Sequence, residues 1–217
     1  MSADVAYHLL ELQIASNPAD TRRVMPAIGR DMRRVLDVGC GAGQTLIASA
    51  LRPDVTAIGI DCEPDALKMG RVIDPRIPFI CARGESLPLA TDHFDLVISR
   101  VALPYMQTRA ALSEMTRVLS PGGTLWLALH SFPQLVAELR HHVHARHWRA
   151  AAHRLYAMAN GALTHFAGVE FRAPLHRRYA TFHTEDRIRR ELECLGYQDI
   201  EVTRRGFFVV TARKPSR

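Results

Sequence analysis

The chain has 217 residues, 47% of them hydrophobic and 23% charged, the proportions of a globular domain long enough to bury a core without disulfide or metal staples. Its formal net charge of +6 is local: residues 1–130 hold 13 basic and 14 acidic side chains, residues 131–217 hold 15 and 8. No apolar run approaches the roughly 18 residues of a membrane span. The opening stretch MSADVAYHLLELQIASN has acids and no basic leader, and the four cysteines form no C-x-x-C pair or ligand spacing, so the expectation is a cytoplasmic protein with free thiols.

The first thirty residues read as a helix, a break at Asn17-Pro18 and a second short helix from about Asp20. A strand–helix alternation follows. Residues 34–38 (RVLDV) are a short apolar strand running into glycines at 39, 41 and 43, residues 44–51 a helix, and residues 56–61 (TAIGID) a second strand. Pro64 suits the first turn of a helix through Gly70, where its missing N–H would have no partner anyway. Residues 77–82 are a third strand, and residues 94–99 (FDLVIS) a fourth, a continuous apolar run as expected for a sheet covered on both faces. Ala111, Leu112, Met115, Val118 and Leu119 recur at helical spacing over 108–119. SPGG at 120–123 stops that helix and turns the chain, and residues 124–129 (TLWLAL) are a fifth strand. Such alternation predicts parallel strands with crossover helices.

The pattern then changes. Residues 133–160 carry no strand signal and read as two helices broken near 146–149, and residues 161–180 read as irregular. Thr184 is a good N-cap, with Glu185 and Asp186 at the positive end of the helix dipole; its helix runs to Leu195 and stops at Gly196. Two strand-like runs, 199–203 and 207–212, are parted only by Arg204-Arg205-Gly206, a link so short that they must pair antiparallel. The organisation expected is one domain over 1–217, with N-terminal helices (1–33), a core (34–130), a helical segment (131–183), and a closing helix and hairpin (184–217).

Within 140–178 the basic residues are Arg140, Arg146, Arg149, Arg154, Arg172, Arg177 and Arg178, against Glu170 as the only acid. Seven of the eleven histidines lie there too. On a helix His141 and His144 share a face and His147 lies near it. No Asp, Glu or Cys joins them and arginines surround them, so the stretch reads as a solvated basic face or a surface for an acidic partner, with no metal site expected.

Glycines 39, 41 and 43 give G-x-G-x-G, whereas the dinucleotide fingerprint is G-x-G-x-x-G. Asp37 discriminates better. A carboxylate at the end of the first strand repels a pyrophosphate and attracts a cation, such as the ammonium group of an amino acid. S-adenosylmethionine offers that ammonium, a sulfonium, a ribose and an adenine, with no phosphate. Asp61 ends the second strand, 18 residues beyond Gly43, where an acid can accept hydrogen bonds from ribose hydroxyls.

At this point the chain resembles a known family. RVLDVGCGAG, AIGIDCEPDAL, ARGESLPLATDHFDLVISRVAL and RVLSPGGTLWLAL resemble the successive motifs of class I S-adenosylmethionine-dependent methyltransferases, in particular the small-molecule branch that includes ubiquinone/menaquinone-type enzymes. The resemblance covers about residues 34–130 and, more loosely, the terminal helix and hairpin. It implies an α/β, Rossmann-like, doubly wound seven-stranded sheet of order 3-2-1-4-5-7-6, its last strand antiparallel, with a helical substrate-cover insertion between strands 5 and 6. It also implies that Asp37 and Gly39 face the methionine end, with Gly41 and Gly43 shaping the loop and Cys40 among the cofactor-binding residues. Asp61 should hold the ribose, with Cys62 beside the adenine. Gly84 and Glu85 should follow the adenine edge, and Ser99 and Arg100 should line the methyl-transfer side. The family often has Asp-Ala before the Leu-Pro of its third motif; this chain has Arg83-Gly84, which lacks the carboxylate that reaches the adenine amino group and leaves a backbone N–H of Gly84 or Glu85 to serve the ring.

Methyl transfer from a sulfonium is an in-line displacement that needs alignment and a dry cavity. A hydroxyl or carbon acid also needs a general base within reach; the candidates are His130, after strand five, and His183, before the last helix, with Tyr105 placed to orient a substrate. The positive segment 131–183 favours a small anionic acceptor, free or carried on an acidic carrier protein. An RNA or tRNA methyltransferase is an alternative that positive charge permits, against which stand few aromatics and no base-flipping motif. A non-catalytic scaffold that binds S-adenosylmethionine is a second alternative.

Overall fold

The computed structural model describes residues 3–130, 132–167, 169–171, 179–205 and 207–216. Its centre is one seven-stranded sheet built from β1 (Arg34–Val38), β2 (Thr56–Asp61), β3 (Phe79–Cys81), β4 (Phe94–Arg100), β5 (Leu119–Leu129), β6 (Gln198–Arg205) and β7 (Phe207–Arg213). The order is β3-β2-β1-β4-β5-β7-β6. Strands β1 to β5 are parallel, and β7 runs antiparallel to both β5 and β6.

Because side chains alternate across a strand, each apolar strand feeds two cores. On one face Leu36, Val97, Leu125 and Leu127 pack with Leu112 and Met115 of α4 (Thr108–Val118) and Ile188 and Leu192 of α7 (Glu185–Cys194). On the other face Val35, Leu96, Ile98 and Trp126 pack with Leu46 of α2 (Gln44–Ala48) and Leu67 of α3 (Pro64–Ile73). The helix ends follow sequence chemistry. Thr184 accepts the Arg187 N–H as N-cap of α7, and the Gln107 side chain does the same for α4 from Ala110.

Several boundaries differ from the sequence reading. The N-terminal helix is α1 (Ala3–Ser16), but no second helix follows Asp20; that stretch is a set of turns held by the Asp20 carboxylate on Arg22. Helix α2 stops at Ala48 instead of 51, and α3 runs three residues past Gly70. The SPGG stretch is not a turn between helix and strand. It lies inside β5: a two-residue step on β4, Phe94 to Leu96, faces a five-residue step on β5, Leu119 to Thr124. Gly122 takes φ 74° in this bulge, and its N–H is held by the Lys214 carbonyl.

Between β5 and α7 lie the helices α5 (Phe132–His144) and α6 (Trp148–Ala167). The break between them falls at 145–147, where Arg146 takes φ 57° and the His147 N–H reaches back to the His142 carbonyl, closing α5 as a left-handed C-terminal cap does. Helix α6 continues to residue 167, beyond its expected end at 160. The expected irregular stretch 161–180 includes residues 168 and 172–178, which lie outside the described residues, as do Arg172, Arg177 and Arg178. Among the described residues no helix is long and apolar enough to cross a membrane.

Asn160 holds the far end of this insertion. Its amide donates to the Phe171 carbonyl at 3.1 Å and the Ala180 carbonyl at 3.0 Å, and its oxygen accepts the Phe171 N–H at 2.9 Å. Asn160→Ala is expected to cost about 1–3 kcal/mol, because it leaves the buried Ala180 carbonyl without its donor and frees the Phe171 N–H, while the Phe171 carbonyl keeps the Tyr156 hydroxyl. The check is the melting temperature; a change below one degree would show that water replaces the amide.

Candidate functional site

The carboxyl ends of β1, β2 and β4 meet at the glycine loop. The Gly39 and Cys40 N–H groups both donate to the Ile60 carbonyl, at 2.7 and 2.9 Å, which folds the loop back over β2. Gly39 takes φ 77°, and a Cβ there would stand 2.2 Å from the Cβ of Ala102. Gly41 and Gly43 also have positive φ, and Gly43 caps α2. At Gly84 a Cβ would stand 2.5 Å from Met106 Sδ. The backbones of Gly39 and Gly84 therefore share one close-packed wall, with the flexible Met106 thioether between them.

Asp37 is fully buried, and neither carboxylate oxygen has a hydrogen-bond partner among the described residues. Burial pushes its pKa up to about 7; Arg100 opposes that shift and Asp61 reinforces it. The Thr45 hydroxyl nearby accepts from Arg100 Nε at 3.0 Å; its own proton is free to turn to Asp37 and, after Arg100, is the next influence that holds the carboxyl down. Ser99, one step beyond the Asp37–Ile98 pairing, is also fully buried, with its hydroxyl unpartnered among the described residues. Buried polar groups are rarely left unpaired. By the alternation of side chains Asp37 lies on the face of Ile98 and Ser99 on the opposite one. At the carboxyl edge the Asp37 carboxylate fits a cationic hydrogen-bond donor, and the ammonium of S-adenosylmethionine is one.

The other sequence candidates fall around this edge. Asp61 Oδ2 accepts the Gly41 N–H at 2.8 Å and Oδ1 the Glu63 N–H at 2.9 Å; each oxygen keeps a second lone pair for a ribose hydroxyl. Cys62 is exposed beyond it, while Cys40 is buried and its thiol is pushed well up by that burial. Glu85 is committed to protein: Oε1 pairs with Arg83 at 2.9 Å and accepts the Gln107 N–H at 3.0 Å. Burial acts to raise its pKa, yet those donors outweigh it and hold the carboxyl low. Arg100 binds Glu11 at 3.1 Å and Thr45 rather than facing open space. Tyr105 is partly exposed on a short 3-10 turn, Leu103–Tyr105, directly after β4.

The two histidines differ. Burial lowers the pKa of His130, with Glu138 opposing. His183 is 2% exposed, and neither ring nitrogen has a partner among the described residues. Burial, assisted by Arg187, drives its pKa down to about 4. The stability tied to His183 is therefore full above the unfolded pKa near 6.5 and is lost as pH falls toward 4, by about 3 kcal/mol. Relative to His183→Gln, the parent protein should lose about that much stability between pH 7 and 4. Equal pH profiles from denaturant melts would refute the assignment.

Sequence reasoning missed the part α1 takes. His8 Nδ1 lies 2.8 Å from Gln44 Nε2, Glu11 binds Arg100, and Tyr7 stands close enough to Glu11, Tyr105 and Asp61 that burial, with Glu11 next, pushes its hydroxyl up to about 12. The helix thus lies over the glycine loop. The available signal was slight: His8 and Glu11 sit three apart on one helical face.

This sheet order with an antiparallel seventh strand, and an orphaned carboxylate beside a glycine loop at its edge, define the class I S-adenosylmethionine-dependent methyltransferase fold. Residues 35–123 match the family described as Methyltransferase domain. The chain is 30% identical over 167 residues to a malonyl-[acyl-carrier protein] O-methyltransferase of Alcanivorax borkumensis, covering 75% of this chain and 54% of that protein. It is 35% identical over 114 residues to a demethylmenaquinone methyltransferase of Renibacterium salmoninarum, covering 52% and 48%. The chain spans about half the length of the curated relatives it matches. Among solved structures, an S-adenosylmethionine-dependent methyltransferase of Methanosarcina mazei superposes with a TM-score of 0.60 at 21% identity, over 88% of this chain and 95% of that one.

Proposed function

We propose that the protein transfers a methyl group from S-adenosylmethionine to a small acceptor that is anionic or carried on an acidic carrier protein. The observation that supports the donor is Asp37: a buried carboxylate with no partner among the described residues costs stability unless a cation completes it. In this reading Asp37 receives the ammonium, Asp61 the ribose hydroxyls, Ser99 lines the methyl-transfer side, and the walls at Gly39 and Gly84 let the backbone approach the ligand. The bound donor supplies an electrophilic methyl group on a positive sulfur. The chain's own part is alignment and exclusion of water. Helix α1 covers the loop, and the segment through Thr181, whose N–H donates to the Pro104 carbonyl at 3.2 Å, covers the turn that carries Tyr105. His130 and His183 stay uncharged at neutral pH and so are in the form that accepts a proton.

Support for the acceptor is charge. Among residues 132–167 the arginines 140, 146, 149 and 154 face one acid, Glu138. The Alcanivorax relative acts on a malonyl group attached to acyl-carrier protein, as its name states. A thermal-shift comparison of S-adenosylhomocysteine with NAD tests the donor: stabilisation by the first alone is expected, and stabilisation by NAD alone overturns it. A labelled-methyl transfer screen across carboxylates, acyl carriers, quinols and tRNA tests the acceptor; labelling of tRNA alone would overturn the small-molecule reading.

A further inference from the structure

Helix α6 is apolar on the side that faces solvent. Trp148, Ala152, Leu155, Ala159, Leu163 and Phe166 recur at steps of three and four, so they form one stripe. All six are exposed, with Phe166 at 86% and Trp148 at 62%. The side turned inward carries Ala157, Asn160, Gly161 and Thr164, all buried. At 1.5 Å per residue the stripe is about 27 Å long. A soluble surface rarely leaves so long an apolar row uncovered.

Cations gather at its Trp148 end. Arg140 on α5, Arg146 in the connection and Arg149 on α6 are all exposed. The one acid of α5 and α6, Glu138, is engaged with Arg154 at 2.9 Å. A second copy applied through this face would offer the arginines a surface whose one acid, Glu138, is already paired. A negatively charged bilayer complements both features: its acyl boundary takes the Trp, Leu and Phe side chains, and its headgroups take the arginines. We infer that the outer face of α6 docks the protein on an anionic lipid surface, lying in the interface plane without spanning it. The inference needs no methyl donor, but it draws on the arginines 140, 146 and 149 that also support the acceptor reading, so lipid and carrier protein are separated in the test.

The test is co-sedimentation of the full chain with vesicles of phosphatidylcholine alone and of equal phosphatidylcholine and phosphatidylglycerol. Trp148 fluorescence is followed in parallel; the second tryptophan, Trp126, is buried in the sheet and should stay silent. Expected is binding on the order of tenfold stronger to the anionic vesicles, a blue shift of Trp148, and weakening by salt. Leu155→Glu with Phe166→Glu should abolish binding, and Arg146→Glu with Arg149→Glu should erase the preference for anionic lipid. All four side chains are exposed, so melting temperatures should hold; if the first pair unfolds the protein, Leu155→Gln alone replaces it and should weaken binding. Equal binding to both vesicle types overturns the inference, as does wild-type binding by the glutamate or glutamine variant. So does a dimer that those variants dissociate, or a salt-sensitive complex with an acidic carrier protein in a chain that ignores vesicles.

Discussion

Asp37→Asn is expected to make the ligand-free protein more stable at pH 8 and to remove most of its stabilisation by S-adenosylhomocysteine. The parent carboxylate has a pKa of about 7 in the fold, raised by burial from an ordinary 3.8. A raised folded pKa means that its contribution is intact below pH 4 and is lost as pH climbs through 7. Between pH 5 and 8 the penalty grows by on the order of 3 kcal/mol. The amide has no such titration, so the stability difference between variant and parent should widen by that amount over the same interval. The same group makes cofactor affinity depend on pH. The ammonium needs the ionised carboxylate, so parent affinity should rise about tenfold per unit from pH 5 to 7 and then level off. Calorimetric titrations at pH 5, 6, 7 and 8 read this directly. A flat parent profile, or an asparagine variant that binds as tightly, would show that Asp37 does not receive the ligand.

Gly39→Ala should act by geometry. The residue's φ of 77° costs a non-glycine residue about 1–2 kcal/mol, and its Cβ would overlap that of Ala102 at 2.2 Å, a contact between two short side chains that neither can relieve by rotation. Overpacking of this kind adds about 1–3 kcal/mol. The expected result is a melting temperature lower by roughly 5–15 °C for a chain of this size, with no further rise on adding S-adenosylhomocysteine. Adding Ala102→Gly to the same chain removes the overlap and leaves the backbone term, so it should restore about half the loss. Full restoration would assign the whole effect to packing; none would assign it to φ.

Strand positions were legible because they rest on local signals, whereas the strand order came from the resemblance to the methyltransferase family. Apolar runs between glycine and proline breaks locate parallel strands, and a three-residue link between two such runs makes a hairpin. Asp37 was legible for a similar reason: it is the one acid in RVLDV, set among Val35, Leu36 and Val38. What stayed hidden depends on partners far along the chain. SPGG has the composition of a turn, yet it becomes a bulge in β5 because the Lys214 carbonyl, more than ninety residues away, holds Gly122. The motif names Glu85 but not the Gln107 N–H and Arg83 that bind it. It names Arg100 but not Glu11 of α1, which pairs with it. Docking of a helix onto a loop leaves almost no periodic trace in either segment, so α1 read only as a helix.

The position of β7 carries a consequence for how the protein is made. It lies between β5 and β6, and its residues Phe208, Val210 and Ala212 complete the core that β1, β4 and β5 begin. During synthesis β5 therefore waits as an open, eleven-residue edge until some eighty more residues have been added. Unpaired edges of that kind recruit other chains. The nascent protein passes through a stage at which a stalled ribosome would present an incomplete core, and release before β7 emerges would yield an aggregation-prone fragment rather than a smaller functional domain.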